Sequence, residues 1–189
     1  MAIWKIVNIN AVVYFDITIK IDQLAELISK DFPINYRPED FAGLVVYYDK
    51  FKINIFKTGA IIISGIKKLE DLTSVVEDVK RILKKYIKNL PEKYILKIAN
   101  IVISGKFDYN KVDIERMSSE LEDAFYDPAR FWAATVYYNI SPNDKVTFNV
   151  FKNGSFVATG LKPDLTSVNQ YINKVVNSFQ EEVIKKFAK

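Results

Sequence analysis

The chain has 189 residues, of which 49% are hydrophobic and 26% are charged, a balance typical of folded globular proteins. It contains no cysteine and no histidine, which excludes disulfides, Cys or His metal ligands, thiolate nucleophiles and serine–histidine triads. The net charge of +4 is compatible with a nucleic-acid partner but does not by itself indicate one.

The first half of the chain predicts a strand, a short helix, three further strands and a long helix, in that order. The predicted strands are Lys5–Phe15, Phe41–Asp49, Lys52–Phe56 and Ala60–Gly65. Asp22 is a plausible N-cap of the short helix, whose apolar face contains Leu24, Leu27 and Ile28. The long helix has an apolar stripe at helical spacing: Leu72, Val75, Val76, Val79, Ile82, Leu83 and Tyr86.

The second half predicts the same elements again. Its predicted strands are Ile98–Phe107, Phe131–Asn139, Val146–Phe151 and Ser155–Gly160. Asp113 is the candidate N-cap of a short helix with Ile114, Met117 and Leu121 on one face. The apolar stripe of the last helix is Leu165, Val168, Ile172, Val175, Val176, Phe179 and Val183. Pro163 suits the first turn of this helix, where a missing N–H costs nothing.

Short sequences also recur between the halves, in the same order. INIFKTG at Ile53–Gly59 returns as FNVFKNG at Phe148–Gly154, and in both copies the residues after the Phe read as a hairpin turn. YRPEDFAGLVVYY at Tyr36–Tyr48 returns as YDPARFWAATVYY at Tyr126–Tyr138. The chain is therefore predicted to be an internal duplication, with repeats at residues 1–92 and 93–189 that form one structural unit.

Strand alternation sorts the residues of the predicted sheet into two faces. The helix-covered core face is predicted to contain Ile9, Ala11, Val13, Ile55, Ile61, Ile63, Ile101, Ile103, Val150, Phe156 and Ala158. The opposite face, called the open face below, is predicted to contain Asn8, Asn10, Val12, Asn54, Phe56, Ala60, Ile62, Ser64, Asn100, Val102, Ser104, Asn149, Phe151, Ser155, Val157 and Thr159. The open face mixes amides, hydroxyls and apolar groups without an acidic residue, and a surface of this kind needs a partner.

The order of elements and the motifs resemble the TATA-binding protein family over nearly the whole chain. The motifs that carry the resemblance are Asn100-Ile101-Val102, the weaker Asn8-Ile9-Asn10, the Pro-x-x-Phe segments Pro38–Phe41 and Pro128–Phe131, and the Phe-x-x-Gly turns Phe56–Gly59 and Phe151–Gly154. The resemblance implies an α+β fold, a pseudo-twofold saddle of two β-α-β-β-β-α-like repeats. Its curved antiparallel sheet would have the helices on the convex face.

The resemblance also implies a function. A family member is a general transcription initiation factor that binds the minor groove of AT-rich, TATA-box promoter DNA and bends it with inserted aromatic wedges. By position, the wedges would be Phe41 with Phe56 and Phe131 with Phe151. The amides of Asn8 and Asn100 would donate to groove-floor acceptors. The flat side chains of Ile62, Val102 and Val157 would exclude the guanine amino group, and Ser64 and Thr159 lie on the same face.

The chain departs from the family pattern at several open-face positions. Asn10, Asn54 and Asn149 replace apolar residues, and we hypothesise that they add hydrogen bonds to the groove floor and alter or relax selection of the AT-rich site. Ala60 and Ser155 stand where lysines are usual. Lys57 and Lys152, which follow the wedge Phe residues, are the candidates for the missing phosphate contacts, so the salt dependence of binding should be shallow.

The implied partners are AT-rich promoter DNA, a transcription factor B-type protein and the RNA polymerase machinery, with the chain a monomer on DNA and no cofactor. The two Pro-x-x-Phe segments correspond to the stirrups of the family, and the second stirrup meets the B-type factor. Here Asp127 is followed by Ala129 and Arg130, where acidic and apolar residues are usual. The longest uncharged stretch near the start, Ile6–Phe15, is too short for a membrane span and unlike a signal peptide, so we expect a cytoplasmic protein. The resemblance implies that it is archaeal and nucleoid-associated.

Two other classes of function remain at this point. A relative with the same fold could have lost ordinary TATA binding and act as a regulator or as a protein- or RNA-binding module. An enzyme is disfavoured, because without His or Cys it would need paired or metal-bound carboxylates, and the predicted open face has none.

Overall fold

The computed structural model describes residues 2–189, and its elements follow the predicted order in both halves. The first half contains β1 (Ile3–Tyr14), α1 (Ile21–Ile28), β2 (Ile34–Asn35), β3 (Gly43–Tyr48), β4 (Phe51–Phe56), β5 (Ala60–Ile66) and α2 (Leu72–Lys84). The second half contains β6 (Ile95–Lys106), α3 (Ile114–Glu120), β7 (Ala124–Phe125), β8 (Ala133–Ser141), β9 (Asp144–Phe151), β10 (Ser155–Leu161) and α4 (Val168–Phe179). A π-helical turn at Gln180–Ile184 and a short helix α5 (Lys185–Phe187) end the chain.

The strands of each half pair in the same antiparallel order. In the first half the order is β2-β3-β4-β5-β1, and in the second half it is β7-β8-β9-β10-β6. The chain divides into two compact units, one formed by Asn8–Ala99 and the other by Asn100–Lys189 together with the residues up to Val7. The long strands β1 and β6 each contribute residues to both units.

Most residues of the two predicted long-helix stripes are buried. α2 buries Leu72, Val75, Val76, Val79, Ile82 and Leu83, and α4 buries Val168, Ile172, Val175, Val176 and Phe179. In the second half the Phe148 and Phe179 rings stack with their centroids 3.9 Å apart. Burial of apolar surface, to which such rings contribute, is the main favourable contribution to the free energy of folding, at about 25 cal/mol per Å².

Several predicted details of the helices are wrong. α1 begins at Ile21, so Asp22 lies inside its first turn and makes no cap hydrogen bond, whereas Asp113 caps α3 by accepting from Arg116 N at 3.2 Å. Leu27 is 44% exposed, because α1 turns Ile21, Leu24, Ala25 and Ile28 inward instead. The predicted stripe residues Tyr86, Leu121, Leu165 and Val183 all lie outside the regular α-helices.

The start of the last helix is also later than predicted. α4 begins at Val168, because a turn closed by Ser167 N and Asp164 O precedes it, and Pro163 therefore lies before the helix. The sequence analysis missed β2 and β7, since two residues are too few to show alternation. It also began β3 and β8 two residues early, at Phe41 and Phe131.

Candidate nucleic-acid interface

The two faces of the sheet are sorted as the alternation predicted. All residues of the predicted core face are buried, and none is more than 2% exposed. The predicted open-face residues are partly exposed, with the exception of Val12, which is 8% exposed and lies among the side chains of neighbouring strands. The polar and aromatic residues proposed for binding are therefore available on the surface of each half.

The four predicted wedge residues form two pairs. The ring centroids of Phe41 and Phe56 are 5.6 Å apart, and those of Phe131 and Phe151 are 6.1 Å apart, both in edge-to-face geometry. Phe41 is 40% exposed and Phe131 is 45% exposed. Each half therefore has one aromatic pair of which one ring is exposed and the other partly exposed.

A glycine lies between the two rings of the first pair. Gly43 pairs with Phe56 across the β3–β4 ladder, and a Cβ at Gly43 would lie 2.8 Å from the Phe41 ring and 3.0 Å from the Phe56 ring. Ala133 occupies the same position opposite Phe151. The extra methyl group is consistent with the wider spacing of the second pair.

Tight turns fix the inner ring of each pair. Phe56 O accepts a hydrogen bond from Gly59 N at 3.0 Å, and Phe151 O accepts one from Gly154 N at 2.9 Å, which confirms the two predicted hairpins. Both glycines have positive φ, and a Cβ at Gly154 would lie 1.9 Å from Tyr109 O. The backbone is thereby held directly after each ring.

Asn8 and Asn100 occupy equivalent positions beside β-bulges. Asn8 Oδ1 accepts from Gly65 N at 2.9 Å, and Asn100 Oδ1 accepts from Gly160 N at 2.7 Å. Asn8 Nδ2 donates to Asn10 Oδ1 at 2.9 Å, and Asn100 Nδ2 donates to Thr159 Oγ1 at 3.2 Å. Each amide is therefore oriented by the backbone, and each Nδ2 keeps one hydrogen for an external acceptor.

Asn54 and Asn149 are equivalent in sequence but differ in their contacts. Thr135 Oγ1 donates to Asn149 Oδ1 at 2.9 Å, and the two residues are partners in the β8–β9 register. Asn54 faces Val45 in the β3–β4 register. Asn54 Oδ1 is the one buried side-chain polar atom between residues 2 and 189 that has no hydrogen-bond partner.

The two predicted phosphate-binding lysines also differ. Lys152 Nζ lies 2.7 Å from Glu115 Oε1, and this hydrogen bond to the carboxylate raises the pKa of Lys152. Lys57 forms no ion pair within the described part of the chain. Of these two cations, Lys152 has a competing carboxylate, and Lys57 has none among the described residues.

The alternation also places residues on the open face that the sequence analysis did not include. Tyr47 and Lys52 are cross-strand partners in the first half, and Lys52 also pairs with Ser64, a predicted open-face residue. In the second half Lys145 Nζ lies 5.2 Å from the centroid of the Tyr137 ring. Lys52 could have been found from the sequence, because it lies two residues before Asn54 in the same strand.

Two further features were sought within residues 2–189. No group of three or more Asp or Glu side chains in this range is arranged to hold a metal ion. None of the helices described here is both long enough and apolar enough to cross a membrane.

Comparison with known proteins identifies the family. The model of the family "Transcription factor TFIID (or TATA-binding protein, TBP)" matches residues 3–86 and 95–181. The chain belongs to the TATA-binding protein family. This confirms the resemblance stated from the sequence, and the family is one of transcription factors and not of enzymes.

Individual TATA-binding proteins agree with this assignment. The chain is 32% identical over 180 residues to the TATA-box-binding protein of Pyrobaculum aerophilum, covering 94% of this chain and 86% of that protein. It is 29% identical to that of Sulfolobus acidocaldarius, with 93% and 88% covered. The solved structure of Methanococcus jannaschii TBP superposes with a TM-score of 0.70 at 22% identity, covering 94% of this chain and 98% of that one. The predicted fold class is thereby confirmed.

Proposed function

We propose that this chain is a general transcription initiation factor that binds the minor groove of AT-rich promoter DNA and bends it. The observation that carries the proposal is that each half has one aromatic pair with an exposed ring, Phe41 beside Phe56 and Phe131 beside Phe151. In each pair one ring is exposed and the other, partly exposed, is followed by a tight turn, and such a pair is suited to enter between base steps. Unstacking a step is unfavourable, and the larger protein surface that bent DNA contacts offsets it.

The groove floor would be read by the oriented amides. Asn8 and Asn100 each direct a free Nδ2 hydrogen away from the glycine bulge, which suits adenine N3 and thymine O2 acceptors. Ile62, Val102 and Val157 would contact the groove edges of A·T pairs and exclude the guanine amino group. Asn10, Ser64 and Thr159 would complete this polar surface, and Lys57 and Lys152 would contact phosphates.

We infer the partners from family membership. The proposed complex contains one copy of the chain on DNA, together with a B-type transcription factor and RNA polymerase, in the cytoplasm and at the nucleoid. In the second stirrup Asp127 accepts from Ala129 N at 3.0 Å and lies 3.4 Å from the Arg130 side chain. Since this acid is engaged within its own turn, the B-type contact would depend more on the neighbouring exposed ring of Trp132.

The wedge assignment can be tested by removing one ring at a time. Phe56→Ala and Phe151→Ala should each weaken binding to an AT-rich duplex by about 1–3 kcal/mol, the contribution of stacking a ring on a base. The bend angle, measured by energy transfer between dyes at the duplex ends, should fall with it. The thermal stability of both variants should remain close to that of the wild type, because these rings are not part of the buried core.

Phe148→Ala is the matched control for Phe151→Ala. Phe148 is fully buried and stacks on Phe179, so its truncation should lower the free energy of unfolding by about 3–5 kcal/mol. Equal loss of stability in Phe148→Ala and Phe151→Ala, or unchanged bending in both wedge variants, would contradict the proposal.

A second candidate function is a regulator or a protein- or RNA-binding module with the same fold. It is favoured by Tyr47 and Tyr137, which are exposed on the open face where the family usually has basic residues, and by the pairing of Lys152 with Glu115. Gel shifts with and without a B-type factor distinguish the two. Binding of structured RNA in preference to AT-rich duplex would favour this second function.

A further inference from the structure

A recess in the second half lies beside the wedge residue Phe151 and carries two lysines. Its volume is about 460 Å³. The residues that matter for its chemistry are Lys5, Ser104, Lys106, Phe151, Ser155 and Val157, all within one compact unit. Four of these six are predicted open-face residues. The recess is therefore part of the open face, next to a ring that is proposed to enter DNA.

Strand register fixes Lys106 beside this wedge. Ser155 is the first residue of β10 after the turn that follows Phe151, and Lys106 is its cross-strand partner in β6. Phe107 N donates to Gly154 O at 2.9 Å, which holds the end of β6 against the same turn. Because cross-strand partners point to the same face, the Lys106 side chain lies on the open face with Ser155.

The two lysines of the recess have no competing carboxylate. Lys5 and Lys106 are both exposed, and neither forms an ion pair within residues 2–189, whereas Lys152 is paired with Glu115. A nucleic-acid backbone alternates anionic phosphates with less polar sugars. An apolar recess with free ammonium groups at its edge therefore suits this backbone, and phosphate contacts of this kind position a protein on DNA.

The equivalent position of the first half is occupied by Tyr14 and has no cation. Tyr14 is the cross-strand partner of Ala60, the first residue of β5. Tyr14 and Lys106 each precede a Phe whose N–H donates to the glycine of the hairpin turn, at 3.0 Å in the first half and 2.9 Å in the second. Lys5 does have an equivalent in Lys97, since each lies three residues before the bulge asparagine. The difference in charge between the two places is therefore due to Lys106.

We propose that Lys106, together with Lys5, binds the DNA backbone beside the Phe151 wedge, and that the first half has no contact equivalent to that of Lys106. This inference rests on the proposed minor-groove binding and adds phosphate contacts to it. It makes the two halves unequal, because the second half holds the DNA through a charge that the first half lacks. The charge of one phosphate beside the wedge should then be needed for full affinity.

Removal of the charge at Lys106 tests the contact by titration of a labelled AT-rich duplex. Lys106→Gln should lower the slope of log affinity against log salt by about 0.9, and Lys5→Gln should act in the same way. The ratio of wild-type to Lys106→Gln affinity should fall about 3.5-fold between about 50 and 200 mM salt. Lys106→Arg should keep the wild-type slope. Lys174→Gln is the matched control, because Lys174 is exposed on α4, on the other side of the sheet.

A series of duplexes locates the contact. In each duplex one phosphate is replaced by a neutral methylphosphonate. The wild type should lose affinity at the phosphate that Lys106 contacts, and this loss should be absent in Lys106→Gln. Tyr14→Lys should become sensitive to a phosphate that the wild type does not sense, with a slope steeper by about 0.9. Loss of fold cannot produce such a gain.

The outcomes separate this inference from the proposed function. If the wild type binds and bends no AT-rich duplex, the proposed function fails and this inference fails with it. If duplexes are bound and bent but Lys106→Gln has the slope and the phosphate sensitivity of Lys174→Gln, Lys106 does not bind the backbone while the proposed function stands. Wild-type behaviour of Tyr14→Lys would overturn the proposed inequality of the two halves.

Discussion

At the scale of single residues, Asn8 and Asn100 show why a candidate DNA contact also contributes to the fold. Each side-chain oxygen accepts from the backbone N–H of a glycine with positive φ, at Gly65 and Gly160 respectively. The bulge places an N–H outside the regular ladder, and the amide supplies the acceptor that the neighbouring strand does not. The same hydrogen bond to the glycine N–H directs the remaining amide hydrogen outward. One interaction therefore both stabilises the bulge and orients the asparagine side chain.

Asn100→Ala should therefore reduce both stability and DNA binding. Loss of the hydrogen bonds to Gly160 N and Thr159 Oγ1 should lower the free energy of unfolding by about 1–2 kcal/mol, measured by urea denaturation. Asn139→Ala is the control, because Asn139 is exposed near the C-terminal end of β8. Its truncation should change the free energy of unfolding by less than about 0.5 kcal/mol. Equal stability of the two variants would mean that the bulge does not need the amide.

At the scale of elements, the end of the last helix is attached to the loop after β6 by one buried polar side chain. Gln180 is 5% exposed and begins the π-helical turn that follows α4. Gln180 Nε2 donates to Asp108 Oδ2 at 2.9 Å, and Gln180 Oε1 accepts from Asp108 N at 3.0 Å. The wider turn lets the amide point inward where a regular helix would displace it, and such turns often serve a specific contact.

Gln180→Met keeps the side-chain volume and removes both hydrogen bonds. We expect the free energy of unfolding to fall by about 1–2 kcal/mol. Hydrogen exchange should show faster opening of the C-terminal helix. Gln170→Met is the matched control, since Gln170 is exposed on α4 and should tolerate the change. Unchanged protection of the last helix in Gln180→Met would show that apolar packing alone holds it.

At the scale of the whole molecule, the net charge of +4 is small, and not all of the cations are available to DNA. Lys152 is paired with Glu115, whereas Lys57 has no ion pair among the described residues. Each phosphate contact contributes about 0.9 to the slope of log affinity against log salt. The salt dependence should therefore be shallow and should depend on how acidic neighbours compete with DNA.

Two substitutions test this charge assignment. Lys57→Ala should reduce the salt slope by about 0.9, and Glu115→Gln should tighten binding at low salt and steepen the slope by up to the same amount. Glu120→Gln is the control, because it changes the net charge equally on the same helix but releases Arg116, 2.7 Å away, instead of Lys152. If Glu120→Gln and Glu115→Gln act alike, only the net charge matters.

Alkaline pH should destabilise both halves of the chain. Burial and a hydrogen-bonded carboxylate raise the pKa of Tyr86, Tyr94 and Tyr138 to about 12, with Asp31, Glu77 and Glu182 as the respective partners. The pKa of a tyrosine in the unfolded chain is about 10. The stabilisation is therefore fully present below about pH 10 and is lost as the pH rises toward 12.

Urea denaturation at a series of pH values measures this effect. The free energy of unfolding should be level up to about pH 9 and should fall steadily above about pH 10. Tyr138→Phe should make the fall shallower, because it removes one of the three perturbed groups. An equally steep fall in this variant would exclude Tyr138 as a contributor.

The sequence by itself determined the features that depend on local periodicity. Alternation along β1, β4, β5, β6, β9 and β10 assigned the buried and open faces, and the repeated motifs placed Phe56 and Phe151 in equivalent turns. These features can be predicted from the sequence because successive side chains of a strand point to opposite faces and because a hairpin turn is formed by residues close together in the chain. The duplication also led directly to the family.

The tertiary structure decided which of the equivalent residues behave alike. Asn8 meets Gly65 and Asn100 meets Gly160 only through strand register across 57 and 60 residues. Register also places Thr135 beside Asn149 and leaves Asn54 beside Val45. Hydrogen bonds need a partner within about 3 Å, and no local pattern reports a neighbour that distant strands supply. The difference between the two halves is therefore a property of their cross-strand contacts.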